Sequence, residues 1–160
     1  MREVNDSDVQ MIAKEMSALL PLREENVERF EELVAELHGI GSVAAARQLL
    51  ERLDDACAVE DVMQTVAMTL CAFPPSIVVT AFLDVLPGIM RRGPVAARDV
   101  VRCLLLSDEG RVRLLVEAPK SSASAVAGLR ELLYRVGRFE SYADYSNEVL
   151  AALSAQPDPR

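Results

Sequence analysis

The chain has 160 residues, enough for one domain with a single sizeable core. Its 51% hydrophobic and 26% charged residues exclude a disordered chain, and its 4% aromatics, with no Trp, favour aliphatic helices packed on helices. Net charge is −8, and residues 1–61, with 15 acids against 6 bases, hold an excess of −9 that argues against nucleic acid or anionic membrane and attracts basic surfaces.

The apolar spacing is helical from end to end. Val9, Ile12, Met16, Leu19 and Leu20 share a first stripe that stops at Pro21. Val27, Phe30, Leu33, Val34 and Leu37 form a second, stopped by Gly39 and Gly41. Ser42 is placed to cap a third helix with Val43, Ala46, Leu49, Leu50 and Leu53 inward. An acidic connection, ERLDDACAVED, leads into a fourth helix with Val62, Val66 and Leu70, ended at Phe73-Pro74-Pro75. Pro75 suits the first turn of a fifth helix, which Pro87-Gly88 is expected to kink or end. No charge occurs from Val62 to Leu83, but the double proline breaks any membrane span, so both helices are expected to be buried on more than one side. Gly93-Pro94 precedes a helix centred on Val101, Leu104 and Leu105; Ser107 caps a short one closed by Pro119; Ser121 or Ser122 opens another through Val136. Phe139, Tyr142, Val149, Leu150 and Leu153 complete the last. The expectation is an all-α domain over residues 1–154, of eight or nine short helices in antiparallel hairpins stacked in a HEAT-like manner, with a polar tail at 155–160.

Little in the chain suggests catalysis. His38, the one histidine, falls at a helix end, where it complements the dipole and lacks a nucleophile signature around it. Cys57, Cys71 and Cys103 have no C-x-x-C spacing, so neither a zinc site nor a disulfide framework follows. Reduced, packed thiols are expected, and MREVNDSDVQ has no leader-like apolar run, which makes the cytoplasm the expected compartment. The acids at 51, 54, 55, 60 and 61 do not follow a calcium-loop pattern, so no metal or cofactor is expected.

The acids are more informative as a surface. Glu24, Glu28, Glu32 and Glu36 recur every four residues opposite the Phe30–Leu37 stripe, with only Arg29 among them. Each like-charged step costs about 0.2–0.5 kcal/mol. Two readings stand: a solvated outer face, or a face that a cationic partner covers. Glu60 and Asp61 suit a helix N-terminus, whereas Asp54 and Asp55 follow a helix C-terminus, where the dipole disfavours them. A basic partner supplies a reason for that pair. Arg91, Arg92, Arg98, Arg102, Arg111 and Arg113 are expected to pair with acids within the chain.

One stretch, Glu60 to Leu133, resembles the immunity protein 30 family of bacterial polymorphic-toxin systems. The residues carrying the likeness are Glu60, Val62 and Met63; Phe73; Leu86-Pro87; Gly93-Pro94; Arg102-Cys103-Leu104; and Asp108-Glu109. The chain departs from the pattern in lacking a tryptophan soon after Pro94 and in placing Leu105 where the family has asparagine. The resemblance implies a cytoplasmic, non-catalytic protein of contact-dependent inhibition systems that neutralises one cognate toxin, commonly a nuclease with a basic active site. Combined with the charge pattern, it makes Glu28, Glu32, Glu36, Asp54 and Asp55 the expected toxin contacts. The alternatives are a HEAT-like adaptor for another protein, or a helical hydrolase with acid-held magnesium.

Overall fold

The computed structural model describes residues 6–155, without the side chain of Glu60. Among the described residues there are nine α-helices and no strand: α1 Asp6–Ala18, α2 Glu24–Ile40, α3 Val43–Leu50, α4 Glu60–Ala72, α5 Pro75–Arg92, α6 Pro94–Leu106, α7 Asp108–Glu117, α8 Ala123–Val136 and α9 Glu140–Ser154, with a 3-10 turn at Ala118–Lys120 between α7 and α8. The fold is all-α, as expected. The expected tail lies, apart from Ala155, outside the described residues.

Local signals set the helix ends. Gly41 closes α2 in the left-handed conformation, φ 66°, which costs a glycine nothing. Ser42, Ser107 and Ser122 accept the N–H of Ala45, Gly110 and Ala125, capping α3, α7 and α8. Pro75 and Pro94 stand in the first turns of α5 and α6, where a missing N–H costs no bond.

From α2 to α7 the helices alternate between two rows. α2 packs on α4, α4 on α6, and α6 on α8 and α9; α3 packs on α5, and α5 on α7 and α8. α1 rests on α2 and α3. Phe30, Phe82, Met16, Leu86 and Ile89 are among the largest fully buried side chains. α5 is the central element, burying Val78, Val79, Ala81, Phe82, Leu83, Leu86 and Ile89.

Several expectations are corrected. α1 ends at Ala18, Leu20 is exposed, and Leu22, beyond Pro21, enters the core instead. α5 does not end at Pro87-Gly88 but runs on to Arg92, because Leu86 and Ile89 continue the buried stripe across the proline. α4 is not covered on both sides: Asp61, Gln64, Met68, Cys71 and Ala72 are exposed. Finally, Cys71 and Cys103 are not separate thiols but a disulfide joining α4 to α6, their Cα atoms 5.9 Å apart; only Cys57 is free. Residues 32 apart in sequence meet because α4 and α6 are row neighbours, which spacing alone does not encode.

Ser146, on the buried side of α9, has no partner for its hydroxyl. A buried, unsatisfied hydroxyl is a net cost, and alanine is the better helix former, so Ser146→Ala is expected to raise stability by about 1 kcal/mol. A urea midpoint that falls in this variant would refute the assignment.

Candidate docking surface

α2 turns Phe30, Leu33, Val34 and Leu37 inward, so at about 100° per residue Glu24, Glu28, Glu32 and Glu36 project outward. Arg29 serves three carboxylates at once: Glu15 of α1 at 2.7 Å, Glu32 at 2.8 Å and Glu36 at 3.3 Å. Its hydrogen bond holds the Glu15 carboxyl below the usual carboxylate range, and the same contacts raise the Arg29 guanidinium. A depressed carboxyl favours the fold at neutral pH and loses that contribution as pH falls through its folded value. All these groups are exposed, so the gain is small. Among the described residues, no cation lies within ion-pair distance of Glu24, Glu25, Glu28 or Glu31. The face is left strongly negative.

Asp54 and Asp55 are elsewhere, in the connection between α3 and α4, and their carboxylates have internal work. Asp54 Oδ1 accepts the Ala56 N–H at 2.9 Å in a local turn. Asp55 Oδ2 and Oδ1 accept the N–H groups of Val95 (2.8 Å) and Ala96 (3.1 Å), while its own N–H donates to the Arg92 carbonyl at 3.0 Å. Asp55 therefore caps α6 from another part of the chain, and the helix it favours electrostatically is α6 rather than α3. This clamp answers the dipole objection without a partner.

Between α4 and α6 lies a groove of about 670 Å³. Met63, Gln64, Ala67, Met68 and Cys71 form one wall, and Val95, Ala96, Asp99, Arg102, Cys103 and Leu106 the other. Asp54, Asp55, Cys57 and Tyr142 close its ends. Arg102 is committed locally, 3.6 Å from Asp99 and over the rings of Tyr142 (5.0 Å) and Phe139 (5.3 Å). The groove adjoins the acidic face: Glu31 of α2 stands 3.5 Å from Thr65 Oγ1 of α4, and a shallow concavity lined by Asp61, Thr65 and Thr69 shares Gln64 and Met68 with the groove.

The matching family model, immunity protein 30, spans residues 16–114, from the end of α1 to α7. The chain belongs to the immunity protein 30 family. The match takes in α2, the 54–55 connection and both walls of the groove; Tyr142 and all of α8 and α9 lie beyond it. No curated protein and no solved structure matches this family member. Membership implies a cognate toxin as partner. Several of the residues that carried the resemblance have visible duties. Phe73 caps α4 and meets the His38 ring edge-on at 5.0 Å; Gly93-Pro94 turns α5 into α6; Asp108 and Glu109 occupy the first turn of α7, which favours negative charge.

Among the described residues no three His, Cys, Asp or Glu side chains come together as a metal site, and no helix is long and apolar enough to cross a membrane. Three of the six arginines expected to pair with acids do so: Arg98 and Arg102 with Asp99, and Arg111 with Asp108. Arg92 donates instead to the Glu51 backbone carbonyl, and among the described residues Arg91 and Arg113 have no acid within ion-pair distance.

Missed at the level of sequence were Met68, Val95 and Leu106, apolar and exposed. The signal existed for Met68: with Val62, Val66 and Leu70 inward, Gln64, Met68 and Cys71 fall on the opposite side of α4, without a charge among them.

Proposed function

We propose that this immunity protein binds and neutralises its cognate toxin, without chemistry of its own, by laying the acidic outer face of α2 on a cationic surface of that toxin. The supporting observation is the imbalance on that face: Arg29 contacts three carboxylates, and Glu28 projects with no cation near it among the described residues. A nuclease active site, which must be cationic to hold phosphates, is the target such a face suits best. Glu28, Glu32 and Glu36 form this contact, with Asp54 as a more distant acid; Asp55 is chiefly a clamp.

Co-expression with the toxin domain encoded in the adjacent reading frame is the direct test, with rescue of growth and a co-purifying complex expected. Glu28→Lys with Glu32→Lys should slow association about tenfold or more at low salt, with the difference shrinking as salt rises. Unchanged association at low salt would remove α2 from the interface, and failure to form any complex would remove the toxin reading itself.

A further inference from the structure

We propose that the α4–α6 groove is the anchor site of this interface, taking an apolar side chain from a toxin segment that carries Lys or Arg beside it; the inference rests on the toxin-binding reading. Isolated exposed hydrophobics are ordinary, but a cluster on one concave surface is not. Met68 is 64% exposed, Leu106 60% and Val95 50%, and all three line this groove. The outer side of α4 is uncharged from Gln64 through Ala72, which is the composition of a covered face, yet among the described residues it is exposed.

The walls are fixed in advance. Cys71–Cys103 joins them directly, and the Asp55 bonds to Val95 and Ala96 hold the start of α6 against the connection. A preformed site loses little freedom on binding. Met63 and Met68 adapt to the shape of an inserted group. The lip carries Asp54 and Asp55, the latter also capping α6, whereas Asp99 is balanced by Arg98 and Arg102, and Arg102 is held over two aromatic rings. The occupant must therefore be apolar at its tip and positively charged at its flanks. Gln64 and Met68 are shared with the concavity at Asp61 and Thr65, and Thr65 meets Glu31 of α2, so one partner surface reaches both regions.

The two regions should act on different rate constants. With the inactivated toxin domain immobilised, Met68→Ala and Leu106→Ala should each speed dissociation about tenfold or more and leave association within about twofold, whereas Glu28→Lys should chiefly slow association. Both groove side chains are exposed, so unfolding midpoints should match the parent protein. Dissociation unchanged in both groove variants, while Glu28→Lys still slows association, overturns the anchor and leaves the acidic-face reading standing. No complex with the parent protein overturns both. A photoreactive leucine analogue at position 106 should cross-link to a toxin peptide with an apolar residue next to Lys or Arg. An adduct to an acidic peptide, or self-association that Leu106→Ala abolishes, overturns the assigned occupant.

Discussion

Replacing Gly93 by alanine is expected to cost about 2–3 kcal/mol of folding stability, although the change adds one methyl group. A Cβ there would lie 2.9 Å from the Leu53 carbonyl oxygen, 3.0 Å from its carbon and 3.2 Å from the Asp54 nitrogen. All three are backbone atoms, so no side-chain rotation relieves the contact; the α3–α4 connection has to move off the α5–α6 corner. That motion pulls on the bonds from Asp55 to Arg92, Val95 and Ala96. Asp55→Ala, which removes the cap and leaves the corner alone, should cost about 1–2 kcal/mol. Because the two changes break the same junction, their combination should cost less than the sum. Urea unfolding of the four proteins checks this. A Gly93→Ala midpoint equal to the parent's, or strict additivity, would mean that the corner is not clamped.

The same junction shows what a sequence makes legible and what it does not. Ser42, Ser107, Ser122, Pro75 and Gly41 act on their own helices within a few residues, and all five perform the duty their position suggests. Asp55 caps a helix whose first residue is about 40 positions later, so its local setting, after α3, pointed to a partner outside the chain. Pro87-Gly88 left a kink or an end open, and the end did not come about, for the opposite reason. Its local signal is a helix stop, but burial of Leu86 and Ile89 outweighs the about 3 kcal/mol that an interior proline costs. The acidic face of α2 was readable because a period of four needs no tertiary information. The groove was not, since its two walls become neighbours only when α4 and α6 take adjacent places in one row. The uncharged run from Val62 to Leu83 suggested two helices buried on more than one side; α5 buries Val78, Val79, Ala81, Phe82 and Leu83 of that run, whereas α4 gives only Val62, Met63, Val66, Ala67 and Leu70 to the interior.

Breaking the Cys71–Cys103 bridge is expected to have the largest effect of all, lowering stability by about 3–4 kcal/mol on the chain-entropy account of a loop of this size. Cys71→Ser/Cys103→Ser tests it without a reductant, and dithiothreitol on the parent protein should give the same midpoint. The oxidised protein, once denatured, should show one titratable thiol, Cys57, and three after reduction. Three thiols without reductant would refute the bridge. The position of the bond matters as much as its strength. α4 and α6 already pack on each other, and Val66, Leu70, Val100 and Leu104 belong to the one buried core, so the helices should stay paired when it is cut. What the bridge adds is constraint between Cys71 and Cys103, the two residues that face the groove from opposite walls. The serine pair should therefore keep its helical signal, and toxin dissociation should quicken while association, which the proposed α2 contact would govern, should be unchanged. Equal loss in both rate constants would mean that the bond holds up the whole domain and not this groove.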